Sequence, residues 1–133
     1  MKYLLDTNIC IYIIKKRPEK VFKKFNEEPF GTIGISSITL AELQYGVMKS
    51  SNPAKNQEAL DRFITPIQIF EFGFEQTIVY GKIRAELERN GTPIGPMDTL
   101  IASHAISLNQ KLVTNNEREF SRIPELQVEN WAE

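Results

Sequence analysis

The sequence has very little of the residue types that build disulfide bonds and zinc sites. It contains one cysteine and one histidine among 133 residues. A single cysteine cannot form an intrachain disulfide, which fits an intracellular protein. The usual zinc site takes several histidine or cysteine ligands, so this composition also argues against a zinc protein of that kind.

Long apolar runs and a charge excess of one sign are missing as well. No apolar stretch reaches the roughly 18 residues that a membrane-spanning helix needs, and the N-terminus does not resemble a signal peptide. There are 16 Lys and Arg against 17 Asp and Glu, with no basic run typical of a nucleic-acid-binding tail. We therefore expect a cytoplasmic protein without a membrane partner. Its net charge of −1 does not exclude nucleic acid, because the distribution of charge decides binding.

The composition that remains is that of a globular protein. Hydrophobic residues make up 41% of the chain and charged residues 25%, as in ordinary folded domains. We find no internal repeat, low-complexity tract or linker. A chain of this length is expected to form one domain over residues 1–133 with a proper core.

Strand patterns alternate with helix patterns along the chain. The strands are predicted at 2–5, 31–36, 67–72 and 111–114, with a last extended piece near 127–128. The helices are predicted at 8–16, 18–28, 37–49, 54–64, 74–89 and 96–108, with a short helical turn at 117–121. On the helix 74–89, we expect Ile78, Ile83 and Leu87 to face inward. The alternation predicts an α/β fold with a central, mainly parallel sheet flanked by helices.

Four acidic residues stand in unusual places. Asp6 directly follows an apolar strand in "YLLDTNICIYII", and Glu42 lies in the most apolar part of its helix in "SSITLAELQYG". Asp98 follows a proline in "PIGPMDTLIASHA", and Glu119 comes soon after "VTNN". Each has a simpler interpretation: a helix cap for Asp6, a partner of the helix dipole for Asp98, and solvated charges for the two glutamates.

Together these acids indicate a metal site at one edge of the sheet. Ligands of parallel sheets collect at the carboxyl ends of the strands, where Asp6 and three polar residues, Thr114, Asn115 and Asn116, are predicted to lie. Clustered carboxylates repel one another unless a cation is present, and oxygen ligands suit Mg²⁺ or Mn²⁺. Such an ion can activate water for phosphodiester hydrolysis, so the pattern favours a nuclease.

Four segments in order resemble the signature segments of a known family. "LDTN" at 5–8, "SSITLAELQYG" at 36–46, "PIGPMDTLIASHA" at 93–105 and "LVTNNEREFSRI" at 112–123 are similar to those of PIN-domain proteins, in particular the VapC-type ribonuclease toxins of bacterial toxin–antitoxin pairs. The resemblance implies a PIN-like α/β/α fold and Mg²⁺- or Mn²⁺-dependent cleavage of RNA, with a tRNA loop as the expected substrate. It also implies a homodimer and inhibition by a small antitoxin of the VapB type.

The same resemblance assigns roles to individual residues. The catalytic acids fall on Asp6, Glu42, Asp98 and Glu119, and the expected metal ligands are Asp6 and Asp98. The supporting polar positions fall on Thr7, Thr114, Asn115 and Asn116. The fourth acid of the family varies in position, so the match at Glu119 is looser than at the other three.

Two other classes of function stay open at this point. A receiver-like phosphoacceptor domain has a similar length, an α/β fold and an acidic Mg²⁺ site, although two of the acids here lie on helices. A catalytically silent binding module on the PIN fold is the other alternative.

Several further residues are expected to be structural. Cys10 and Trp131 are predicted in the core, and His104 is assigned a structural role or a surface contact. Ser36 and Ser37 are predicted to be strand-end or capping groups, and no histidine stands nearby in a pattern that would make either of them a nucleophile. The densest basic stretch is either a solvated helix face or a surface that follows phosphates; it comprises Lys15, Lys16, Arg17, Lys20, Lys23 and Lys24.

Overall fold

The computed structural model describes residues 2–133, which form a five-stranded sheet with helices on both faces. The strands are β1 (Tyr3–Leu5), β2 (Ile33–Ser36), β3 (Gln68–Phe70), β4 (Lys111–Val113) and β5 (Val128–Glu129). The helices are α1 (Thr7–Lys15), α2 (Glu19–Glu27), α3 (Ser37–Lys49), α4 (Pro53–Ile64), α5 (Phe74–Arg89), α6 (Pro96–Ser107) and α7 (Glu117–Phe120). The predicted α/β fold is therefore confirmed.

All strand pairs in the sheet are parallel, and the spatial order is β3-β2-β1-β4-β5. Tyr3 of β1 is in register with Ile33 of β2 on one side and Lys111 of β4 on the other. The chain builds outward from β1 to β3 and then crosses to the other side of β1 to form β4. This reversal makes the carboxyl ends of β1 and β4 the point where a ligand is expected.

The sheet separates two hydrophobic cores. Tyr3 and Leu5 belong to the core shared with α1 to α4, whereas Leu4 belongs to the core shared with α5 and α6. Successive side chains of a strand point to opposite faces, so β1 is buried on both sides, as central parallel strands usually are. The rigid centre of the sheet thus ends directly at Asp6.

The predicted elements are present, with boundaries that differ by at most two residues. One inward-facing residue was predicted wrongly, since Ile78 is 62% exposed whereas Ile83 and Leu87 are buried. A helix turns about 100° per residue, which places Ile78 about 180° away from Leu87. Ile78 instead lies on the same outward face as Phe74, which is 81% exposed.

The structural predictions for the core are confirmed. Cys10 is buried in α1, and Trp131 is buried with its ring edge-on to Tyr3 at a centroid distance of 5.2 Å. Among the described residues, no helix is long and apolar enough to cross a membrane.

Candidate active site

Asp6 is a buried carboxylate at the junction of β1 and α1. It is only 5% exposed and caps α1, with Oδ1 accepting the backbone N–H of Thr7 at 2.7 Å. Its other oxygen, Oδ2, accepts the hydroxyl of Thr114 at 2.8 Å. Burial raises the pKa of the Asp6 carboxyl, the bonds from Thr114 and Thr7 lower it, and the charge of Glu42 raises it again. The cap interpretation of Asp6 is correct, and it leaves the carboxylate fixed at the predicted ligand edge.

Glu42 reaches the same edge from α3. Its Oε1 accepts the hydroxyl of Thr7 at 2.6 Å, a bond that joins residues 35 positions apart. Thr7 thus donates to Asp6 through its backbone and to Glu42 through its side chain. The hydroxyl holds the Glu42 carboxylate beside the buried acid, and Glu42 is half-buried rather than a freely solvated helix charge.

Asp98 is the acid whose pKa is affected by the charges of the other three. It lies in the first turn of α6, which begins with Pro96 after the N-cap Gly95. Burial raises the pKa of the Asp98 carboxyl to about 6, with further contributions from the charges of Asp6, Glu119 and Glu42. A hydrogen bond with Glu119 raises this pKa as well. A shift of this kind in a clustered carboxyl group is typical of functional sites.

Glu119 is supplied by the short helix α7. The neighbouring Phe120 is fully buried and anchors this turn on the core beneath β4. Glu119 is half-buried and close enough to Asp98 to raise the pKa of that carboxyl, so it is not simply a surface charge beside arginines. Arg122, which follows in the sequence, donates to the backbone carbonyl of Pro93 at 2.7 Å.

The three supporting polar residues after β4 differ in their hydrogen-bond partners. Thr114 is fully buried, and its hydroxyl accepts the backbone N–H of Asn116 at 3.0 Å while donating to Asp6. Asn116 therefore reaches the site through its backbone. The side-chain amide of Asn115 donates to the hydroxyl of Tyr12 on α1 at 2.7 Å, so this amide links β4 to α1.

Two contacts near the site were missed by the sequence analysis. One is the bond between Asn115 and Tyr12, and the other places Nδ1 of His104 2.7 Å from Oγ of Ser36. The partners are 103 and 68 positions apart, and no spacing signal links residues at such distances. His104 thus lies beside Ser36 in space although it is far away in the sequence, and Ser36 caps α3 as predicted.

The donor set at this edge suits a hard cation. The four acids and the threonine hydroxyls offer oxygen ligands, the chemistry that Mg²⁺ and Mn²⁺ prefer. Within residues 2–133, no group of three or more His, Cys, Asp or Glu side chains is arranged to hold an ion by itself. Mg²⁺ commonly takes one or two carboxylates and keeps several waters, and the assignment of Asp6 and Asp98 as its ligands stays a prediction.

Comparison with known proteins identifies the family. The PIN domain model matches residues 3–126. The chain is 52% identical over 132 residues to Ribonuclease VapC2 from Rickettsia felis, with 98% of each chain covered. It is 46% identical over 132 residues to the tRNA(fMet)-specific endonuclease VapC from Salmonella typhimurium, with 99% of each covered. These matches do not support the receiver-like alternative.

Solved structures agree with this assignment. VapBC2 from Rickettsia felis, bound to a DNA fragment from the promoter, has a chain with a TM-score of 0.92 and 51% identity, covering 98% of this chain and 99% of that one. DNA-bound VapBC from Salmonella typhimurium has a chain with a TM-score of 0.93 and 46% identity, covering 98% of both. The chain therefore belongs to the PIN-domain family and, within it, to the VapC ribonucleases.

Proposed function

We propose that this chain is a Mg²⁺- or Mn²⁺-dependent endoribonuclease and the toxin of a toxin–antitoxin pair. The observation that carries the metal-dependent mechanism is the placement of Asp6 and Glu42 side by side through Thr7, together with the pKa of Asp98, which burial and then the charges of Asp6, Glu119 and Glu42 raise. Four carboxylates that act on one another at the carboxyl ends of β1 and β4 form a site for a cation.

Asp6 and Asp98 are the proposed metal ligands. The bonds from Thr114 and Thr7 fix the orientation of Asp6, which is 5% exposed and has little freedom to turn away. When bound, the ion supplies positive charge that favours the ionised carboxylates, activates water and stabilises the phosphate. Binding also removes the repulsion that raises the pKa of Asp98.

Glu42 and Glu119 complete the catalytic group. Hydrolysis adds the oxygen of water to phosphorus, transfers a proton from that water to a base, and breaks the bond to the leaving ribose oxygen, which gains a proton. Glu42 is proposed as the base, because Thr7 orients its carboxylate beside Asp6. Glu119 is proposed to position Asp98 through their shared hydrogen bond.

The proposed substrate is a tRNA loop. A relative that is 46% identical over 132 residues is named a tRNA(fMet)-specific endonuclease. Unpaired loop bases can be splayed out and contacted by a protein, whereas the deep groove of an A-form helix is closed to side chains. The exposed lysines and arginine at the end of α1 and along α2 are proposed to contact phosphates away from the cleavage site.

The proposed inhibitor is a small antitoxin of the VapB type. An apolar groove of ≈ 360 Å³ runs between α1, α3 and α4, lined by Ile11, Ile14, Leu43 and Val47, and it includes Glu42. A partner segment with apolar residues in this groove could extend a basic side chain to the acids. An arginine there would form charge-assisted bonds with the carboxylates in place of the cation.

The proposed oligomer is a homodimer. Phe74 and Ile78 are 81% and 62% exposed on one outward face of α5, one helical turn apart. Large exposed apolar side chains that adjoin one another mark interaction surfaces more often than scattered ones do. A second copy of the chain is the occupant that the resemblance implies.

Cleavage of tRNA by the chain freed of antitoxin tests the enzymatic proposal. We expect cleavage in Mg²⁺ or Mn²⁺ and none in EDTA, with activity restored when the metal is added back. Full-rate cleavage in EDTA would refute the metal mechanism. No cleavage of any cellular RNA by the metal-loaded, antitoxin-free chain would instead favour the silent binding module.

A further inference from the structure

One buried contact joins the two helices that carry Glu42 and Asp98. Ser36 ends β2 directly before α3, and His104 lies in the second half of α6; both side chains are fully buried. Oγ of Ser36 lies 2.7 Å from Nδ1 of His104 and accepts the backbone N–H of Ile38 at 3.0 Å. A single hydroxyl therefore contacts the first turn of α3 and the body of α6.

The hydrogen-bond pattern fits a neutral histidine ring. Oγ of Ser36 accepts the N–H of Ile38 and keeps both a second lone pair and its own hydrogen for Nδ1 of His104. Either neutral tautomer of the ring can therefore make this contact. Burial lowers the pKa of His104 to about 4, so the ring is neutral near neutral pH.

Packing alone does not account for a histidine at this position. Nε2 of His104 is buried without a hydrogen-bond partner among the described residues. An unpaired buried ring nitrogen is unfavourable, and a leucine would fill similar space without one. The ring also meets Phe72 edge-on at 5.4 Å, and the backbone N–H of Phe72 donates to Oγ of Ser37 at 3.0 Å. His104 thus joins α6 to the ends of both β2 and β3.

We propose that His104 is a positioning residue for RNA cleavage, which holds Ser36 and thereby fixes the spacing between Glu42 on α3 and Asp98 on α6. The proposal rests on the proposed ribonuclease function. Glu42 follows Ser36 by six residues and Asp98 precedes His104 by six, a helical distance of about 9 Å in each case. Helices are stiff over this length, so a shift at the contact moves both carboxylates. A misplacement of about 1 Å in a catalytic group can cost on the order of 100-fold in rate.

Three variants separate positioning from simple packing. His104→Leu removes both ring nitrogens, and His104→Asn returns an acceptor near the place of Nδ1. Ser103→Ala is the matched control, because Ser103 is fully buried on the same helix and its hydroxyl donates to the backbone carbonyl of Thr99 within α6, at 2.7 Å. Each variant is assayed for kcat and KM on tRNA, for Mn²⁺ affinity by calorimetry, and for thermal stability.

We expect His104→Leu to fold, to keep KM within about twofold, and to lose at least tenfold in kcat and about tenfold in Mn²⁺ affinity. His104→Asn should recover most of both losses, and Ser103→Ala should change neither. A folded His104→Leu variant with wild-type kcat and wild-type Mn²⁺ affinity would overturn the proposal.

Two further outcomes stay informative. If His104→Leu does not fold, the comparison moves to Ser36→Ala against Ser36→Thr, and equal kcat in these two variants would contradict the positioning role. If the wild type cleaves no RNA, the ribonuclease proposal fails, while the Mn²⁺ affinities of the His104 variants still test the spacing of the two helices.

Discussion

At the scale of single residues, two threonines orient the buried carboxylates of the site. Thr7 bonds to Asp6 and Glu42, and Thr114 bonds to Asp6 and to the backbone of Asn116. A buried carboxylate is unfavourable without such partners, so the threonines make the burial of Asp6 possible. They also fix which way each carboxylate faces before any cation or substrate arrives.

The four acids are expected to act as one unit. Replacing Asp6, Glu42, Asp98 or Glu119 by its amide keeps the size of the side chain and removes its charge. We expect each change to lower the cleavage rate about 100-fold or more, and a double change to cost far less than the product of the single losses. The metal-free fold should be as stable or slightly more stable, because a repulsive charge has gone.

Paired measurements check this expectation: cleavage rates in Mg²⁺ and thermal melts in EDTA. Glu119→Gln is expected to have the smallest effect, because Glu119 has the loosest match to the family. An Asp6→Asn or Asp98→Asn variant that cleaves normally yet melts well below wild type would show that the residue only caps its helix.

Thr114 offers a test of orientation at the same scale. Thr114→Val keeps the shape of the side chain and removes the hydroxyl that donates to Asp6. Leaving that carboxylate oxygen without its partner should cost about 1–3 kcal/mol in the free energy of unfolding. Thr114→Ser, which keeps the hydroxyl, is the control in urea denaturation, and equal losses in the two variants would speak against the hydrogen bond.

At the scale of helices and strands, local patterns were sufficient to predict nearly every element. Strand β1 is apolar throughout, and helix α6 has a clear boundary at Pro96. The helical face of α5 was not predictable from pattern alone, since its outward side carries Phe74 and Ile78, which look like core residues. Apolar spacing does not tell a core face from a face that meets a second copy.

Helix α5 therefore supplies the test of the dimer. Ile78→Asp places a charge in the exposed apolar face, and the monomer should keep its stability because Ile78 is not in the core. We expect the variant to elute as a monomer in size-exclusion chromatography with light scattering. Lys55→Asp, at an exposed position on α4, is the control, and a dimer that persists in Ile78→Asp would place the interface elsewhere.

The site itself was only partly predictable from sequence. The acids could be named because each interrupts an apolar segment or follows a strand. The contacts of Thr7 with Glu42 and of His104 with Ser36 could not, because they join elements 35 and 68 positions apart. Such contacts depend on how the helices pack on the sheet, which no local pattern encodes.

At the scale of the whole molecule, protonation of His104 and protonation of Asp98 change the free energy of unfolding in opposite directions. The folded-state pKa of His104 is about 4, below the usual value of 6.5, because the ring is buried. In the unfolded chain the His104 ring is protonated at a higher pH than in the folded chain. The free energy of unfolding therefore falls as the pH falls from about 6.5 to about 4, by roughly 3 kcal/mol. The pKa of Asp98 is raised to about 6 by burial and by the other acids, so protonation of Asp98 stabilises the fold over part of the same range.

Variants separate these two responses. We expect His104→Leu to lose less stability than wild type between pH 7 and pH 4.5, and Asp98→Asn to lose more, in guanidinium denaturation at each pH. The second expectation follows because the amide has already removed the repulsion that acid would relieve. Equal acid sensitivity of His104→Leu and wild type would mean that the ring titrates normally in the folded protein.

The central claim is that carboxylates from separate parts of the chain form one site for a divalent cation. Calorimetric titration of Mn²⁺ into the antitoxin-free chain tests it most directly, with wild type compared to Asp98→Asn. We expect saturable binding to wild type and at least tenfold weaker binding to the variant, because one charged ligand is lost. Equal affinity in the two proteins, or no binding to wild type, would contradict the claim.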